Sequence, residues 1–153
     1  PVPDAVVTAL GSTGSAVGLA IGLALAKVPT RVMAVRCSNP ATSSRAVVDA
    51  GVDATVAFLR ASDPTITADL ANDAKTRLEI DGAELGGGYG ISTARGRGAA
   101  IQIRDHEKIM LEQTYGAKAA AALVRRAPQW KTSHVVLWMG CDERWLAGRP
   151  TAP

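Results

Sequence analysis

The sequence predicts an α/β fold, a three-layer α/β/α sandwich on a mainly parallel sheet, and three observations carry that prediction. A β-branched run, a Gly/Ser/Thr turn, an apolar Ala-rich stretch and a second β-branched run succeed one another between Val6 and Cys37. That order is the order of a strand, a crossover helix and a parallel strand. Aromatics make up only 4 % while Gly contributes 15 residues, which favours an Ala/Val/Leu core with close backbone contacts over a sandwich of large rings. With 153 residues, 47 % of them hydrophobic, the chain holds enough apolar material for one domain with a real core.

The elements follow in order. Val6 to Leu10 reads as a short strand, Gly11 to Ser15 as the turn, and Ala16 to Lys27 as a helix that Pro29 ends. "TRVMAVRC" (Thr30 to Cys37) is a second strand. Ser43 or Ser44 starts a helix whose apolar positions are Val47, Val48, Val52, Val56, Phe58 and Leu59, with Pro64 closing it. "TRLEID" (Thr76 to Asp81) is a candidate strand, and "LGGGYGIST" (Leu85 to Thr93) is a loop. From Thr93 an amphipathic helix is expected through Ile101, Ile103, Ile109 and Leu111, then a short helix over Thr114 to Arg126. "SHVVLWMG" (Ser133 to Gly140) is expected to be a buried strand, and residues 145–153 a loose tail on a single domain spanning 1–153.

Charge and cysteine usage exclude several classes of function. The 17 Lys and Arg against 14 Asp and Glu leave a net charge of +3 that is scattered, which is no nucleic-acid footprint. "RGRG" (Arg95 to Gly98) occurs once and reads as a solvated helix face. Cys37 and Cys141 are far apart, with no C-x-x-C and no His at ligand spacing, so neither a disulfide framework nor a zinc site is indicated. His106 reads as a surface residue, His134 as a strand-edge residue and Asp142 to Arg144 as an exposed turn. With no secretory signal in the first apolar stretch, a cytoplasmic protein is expected. The abrupt start at Pro1-Val2-Pro3 suggests a fragment or a truncated product.

The stretch from Val6 to Val28, uncharged as far as Ala26, has three readings. A membrane span is disfavoured, because Gly11, Ser12, Thr13, Gly14 and Ser15 divide it and non-helical backbone in lipid leaves polar groups unpaired. A phosphate site has a mechanism: the first-turn N–H groups of the following helix lack partners, the helix dipole adds positive charge, and Ser12, Thr13 and Ser15 bring hydroxyls. No Lys follows Gly14, so the turn is not a Walker A loop. A plain strand-to-helix turn is the third reading. If the turn binds phosphate, "GSTGSAVG" with Arg36 at the end of the second strand also fits an NADP-binding Rossmann module.

Taken in order, "LGSTGSAVGLAIGLAL", "PTRVMAVRC", "LGGGYGIST", "LEQTYGAKAAAAL" and "VVLWMG" resemble the C-terminal half of the fold-type II, tryptophan-synthase-β-like pyridoxal-phosphate enzymes. The branch is that of D-cysteine desulfhydrase and aminocyclopropane carboxylate deaminase. The resemblance covers about Val6 to Gly140 and rests on the order of the motifs. In that family the phosphate turn is similar to Gly-Ser-Gly-Gly-Thr, the middle loop carries Gly-Tyr-Gly, and a Tyr-x-x-Lys opens a helix. The resemblance implies that Gly11, Ser12, Thr13, Gly14 and Ser15 cradle the phosphate of pyridoxal 5'-phosphate, that Tyr115 lies against the pyridine ring, and that Tyr89 faces the substrate. Residues alone allow a plainer account, with Tyr115 as helix-start packing and Tyr89 as cover for a Gly-rich loop.

Two departures qualify what the resemblance implies. The family's Schiff-base lysine lies upstream of the phosphate turn, whereas Lys27, Lys75, Lys108, Lys118 and Lys131 all follow it, so no catalytic residue is assigned and the isolated chain is expected to be inactive. The deaminases carry Glu directly after the tyrosine, where this chain has Gly116, so a desulfhydrase-like lyase is favoured over a deaminase. The partner of the pyridine nitrogen is not placed, Cys141 being a weak candidate against a buried structural thiol. The expected partners are a small amino-acid substrate and either the missing N-terminal half or a second copy, with no nucleic acid and no membrane. A non-catalytic remnant or interaction protein remains the alternative from another class.

Overall fold

The computed structural model describes residues 1–130 and 134–140. Its elements are β1 (Ala5–Leu10), α1 (Gly14–Leu25), β2 (Arg31–Arg36), α2 (Arg45–Ser62), α3 (Asp69–Arg77), β3 (Leu78–Asp81), α4 (Ala94–Glu107), α5 (Gly116–Arg126), a 3-10 turn (Ala127–Trp130) and β4 (Val135–Trp138). The strands form one parallel sheet in the order β3-β2-β1-β4, with Val7 opposite both Met33 and Leu137. An α/β/α sandwich on a parallel sheet is therefore what the chain forms.

Alternation along the strands makes the two outer layers. Leu10, Val32, Ala34 and Leu78 face α1, α2 and α3, where Ala20, Ile21, Val48, Val52, Val56 and Leu70 complete one core. Val7, Met33, Val35 and Cys37 face the other way onto Ala119 and Ala122 of α5. Helix α5 is Ala-rich because α4 packs on its far side, through Ala99, Ala100, Ala117 and Ala121. Small side chains are what allow a helix covered on two sides to lie close to both neighbours.

Several sequence expectations need correction. Helix α3 takes Thr76 and Arg77 from the expected strand; it buries only Leu70 and Ala74, and so carries almost no periodic signal. The amphipathic helix expected to reach Leu111 stops at Glu107, where Lys108 takes a left-handed cap (φ 59) and its N–H bonds Arg104 O at 3.0 Å. Ile109 and Leu111 still pack against α4 and α5, from the connecting segment. In α2, Val47 and Phe58 are exposed, and Val48, Val52 and Val56 carry the burial. Ser44 caps that helix through the Val47 N–H, satisfying an orphan donor. The closing strand is not buried, because Val136 and Trp138 are exposed on one face. "RGRG" is not a simple solvated face: Gly96 is buried against Ala117, and Arg95 bonds the buried Glu84 at 2.9 Å. His106 is exposed, and His134 joins the strand edge, its N–H donating to Asp4 Oδ2 at 2.8 Å.

Among the described residues no helix is long and apolar enough to cross a membrane. Cys141, Lys131, the Asp142 to Arg144 turn and the 145–153 tail lie outside the described residues.

Candidate functional site

In parallel sheets ligands gather beyond the carboxyl ends of strands, where the strand order reverses. That reversal here lies between β1 and β4, and the turn Gly11 to Ser15 leaves β1 at this point. A cavity of about 590 Å³ opens there, lined by the whole turn, by Tyr89, Glu112, Tyr115 and Gly116, and by the end of β4.

The turn is held from below. The Ser38 hydroxyl donates to Gly11 O at 2.9 Å, and the Cys37 N–H to Leu10 O at 2.9 Å. Thr13, the residue before α1, adopts φ 72 and ψ −26, and no side chain caps the helix. Among the described residues the first-turn N–H groups of α1 have no side-chain acceptor, and Gly14 and Ser15 at that turn line the cavity together with the exposed Ser12. A Cβ on Gly14 would meet nothing within 4 Å, so there is open space beside the first residue of α1. Uncapped donors, a dipole end and free volume together suit an anion, and the residues present fit a cofactor phosphate.

The turn and Tyr115 are built against each other. A Cβ on Gly11 would stand 2.8 Å from Tyr115 Cε1, so only glycine lets this ring lie so close to the turn. Tyr115 precedes α5, where the Glu112 carboxylate accepts from the N–H groups of Thr114 (2.6 Å), Tyr115 (2.8 Å) and Gly116. The second helix N-terminus in the cavity is thus already filled by a carboxylate, unlike that of α1. The Tyr115 hydroxyl donates to Tyr89 Oη at 3.1 Å, with ring centroids 5.9 Å apart at 62°. That hydrogen bond, with partial burial and the nearby Tyr89, Cys37 and Glu112, pushes the Tyr115 phenol up to about 12.

All seven residues singled out in the sequence thus line one cavity. Arg36 does not: its Nε and Nη2 donate to Ser43 O at 3.3 and 3.2 Å. None of the described residues lining the cavity is a lysine. Cys37 lies beneath Tyr115 with its thiol donating to Val35 O at 3.2 Å, and burial pushes it up to about 12 against the opposing pull of Lys118. Sequence reasoning missed Glu112, because it stands ahead of the N-cap Tyr115 and not at the N-cap or third helical position where a capping side chain is looked for. It gave Lys118 no role beyond the Tyr-x-x-Lys motif either, because a lone lysine in an Ala run ordinarily marks a solvated face. Among the described residues no group of three or more His, Cys, Asp or Glu is placed to hold a metal.

Compared with models of known families, residues 1–142 match "Pyridoxal-phosphate dependent enzyme". The chain belongs to that family. Among solved structures, one described as "Crystal Structure Analysis of the ACC deaminase homologue" superposes with a TM-score of 0.65 at 21 % identity, over 90 % of this chain and 38 % of that one. The fold is shared, and the chain spans 38 % of the length of that protein. No curated protein matches the chain.

Proposed function

We propose that this chain supplies the phosphate-binding part of the active site of a pyridoxal-phosphate-dependent lyase or deaminase acting on a small amino acid. The observation that carries the reading is the uncapped N-terminus of α1 facing the same cavity as a tyrosine ring seated on Gly11. When bound, pyridoxal phosphate supplies an electron sink for chemistry at the carbon bearing the substrate amine. Gly11, Ser12, Thr13, Gly14 and Ser15 hold its phosphate, Tyr115 lies along its ring, and Tyr89 closes the substrate side. Gly116 in place of a glutamate favours desulfhydrase-like over deaminase-like chemistry.

In this reading the lysine that bonds the cofactor comes from a different polypeptide segment, a reading supported by the absence of lysine among the described residues lining the cavity. An N-terminal half or a second copy is the partner in this reading, and the isolated chain turns over no substrate. Exposed Val136 and Trp138 on β4, with Leu25 on α1, are apolar surface that such a partner would cover.

The strand order favours a second reading, because β3-β2-β1-β4 also matches the first four strands of the dinucleotide-binding order. Family membership and the engagement of Arg36 with Ser43 weigh against it. Titration of the chain with pyridoxal phosphate and with NADP, followed by absorbance and fluorescence, separates the two. Pyridoxal phosphate should bind, and a polypeptide carrying the upstream lysine should tighten it. Tight binding of NADP alone would sink the proposal.

A further inference from the structure

Among the described residues Lys118 is the largest fully buried side chain, with 0 % of its surface exposed. It sits on α5 one turn beyond Tyr115, inside an alanine run, and its Nζ donates to Leu85 O and Gly88 O, each at 2.9 Å. Burying an ammonium is costly, and the cost is met where its donors find fixed acceptors. Both acceptors belong to the glycine-rich loop that ends in Tyr89 and Ile91, a loop that needs positive φ at Gly86 (64°) and Gly88 (135°). Such backbone has little preference of its own and must be held from outside.

We infer that Lys118 is a positioning residue: it pins the Leu85 and Gly88 carbonyls so that Tyr89 is delivered onto Tyr115 at the mouth of the cavity. One helix then carries both the tyrosine and the peg that brings its partner. The use of this arrangement for substrate rests on the proposed function, while the arrangement itself does not. A lysine that only fills the core would lower stability and leave the tyrosine pair alone.

The chain has two tyrosines, so 3-fluorotyrosine labelling gives two ¹⁹F signals, assigned with Tyr89→Phe and Tyr115→Phe. Fluorination also lowers the phenol's titration range, which keeps the measurement within the folded range. In the cofactor-free wild-type chain Tyr115 should titrate well above free 3-fluorotyrosine, by a gap comparable to that between about 12 and the ordinary 10.0. In Lys118→Met the midpoint should fall toward the free value by as much as it does in Tyr89→Phe, with the partial burial, Cys37 and Glu112 that also raise it left in place. A folded Lys118→Met chain with the wild-type midpoint overturns the proposal. Should that variant not fold, lysine ¹⁵Nζ spectra of the wild-type chain decide. A slowly exchanging Lys118 ammonium coupled across hydrogen bonds to the Leu85 and Gly88 carbonyl carbons supports the peg, and exchange at the solvent rate without coupling refutes it. None of these readings uses pyridoxal phosphate, so failure of the wild-type chain to bind it counts against the proposed function alone.

Discussion

Replacing Thr13 by Gly should make the chain more stable, although it deletes a methyl and a hydroxyl. Thr13 holds φ 72 and ψ −26, off the centre of the left-handed well. A non-glycine residue there costs roughly 1–2 kcal/mol, with β-branched side chains at the high end. Glycine returns roughly 0.5–1 kcal/mol of that through its larger unfolded-state entropy. The side chain makes no cap bond to α1 that would offset the strain, and near α2 a Cβ on Gly51 would lie 3.7 Å from its Oγ1. The net gain is about 0.5–1 kcal/mol, a rise in Tm of about 1–4 °C at this chain length. Urea denaturation of the wild-type chain, Thr13→Gly and Thr13→Ala measures it. Thr13→Ala keeps most of the backbone cost and loses the contact, so it should be no more stable than wild type. A Thr13→Gly chain less stable than wild type by about 0.5 kcal/mol or more would refute the strain argument and assign the residue's worth to its side chain. The family pattern has glycine at this position, so strain here belongs to this sequence and not to the turn as such.

Other perturbations have expected outcomes. Arg125→Met removes the Arg125 guanidinium, which bonds buried Glu84 (2.8 Å) and Asp81, and should cost about 3 kcal/mol in denaturant unfolding. Burial alone would raise the Asp81 carboxyl, but the Ala83 N–H, Arg125 and Arg126 together hold it below its ordinary value. Its stabilisation is therefore complete above the ordinary Asp range and lost as pH falls through the lowered value, and Arg125→Met should flatten that acid limb of a stability–pH profile. Glu112→Ala uncovers three N–H groups at the start of α5 and should cost about 1–2 kcal/mol from the lost cap and the lost charge at the helix end. In a Cys141→Ser background at pH 8, Cys37 should react with a thiol reagent roughly a thousandfold more slowly than a free thiol, following the shift from 9.0 to about 12. A native chain labelled at the free-thiol rate contradicts the burial.

How far the sequence carried the fold depended on how each segment buries itself. The unit from β1 to β2 was legible because both strands and the helix between them are apolar on the faces they bury. Helix α3 was not, since two buried residues leave no period to read. The end of α4 was misplaced because Ile109 and Leu111 continue the apolar pattern from a segment that has already left the helix at Lys108. In the site, a Gly/Ser/Thr turn and two tyrosines stood out as residue types. The Glu112 cap and the Lys118 peg act through backbone groups brought near by folding, and nothing local in "LEQTYGAK" names the carbonyls of Leu85 and Gly88.

Whether the turn from Gly11 to Ser15 holds the cofactor's phosphate is decided by the variant Gly14→Asp. The position has room, with nothing within 4 Å of a Cβ, and it is the first residue of α1. An aspartate there should stabilise the helix by about 0.3–1 kcal/mol while repelling an anion from its N-terminus. Calorimetric titration with pyridoxamine 5'-phosphate and with pyridoxamine, neither of which can react with surface lysines through an aldehyde, reads the phosphate's share alone. The account predicts that the wild-type chain prefers the phosphorylated form by at least about tenfold, roughly 1.4 kcal/mol, and that Gly14→Asp loses this preference while unfolding at higher urea. Equal binding of the two forms by the wild-type chain, or an unchanged preference in a folded Gly14→Asp chain, would contradict it.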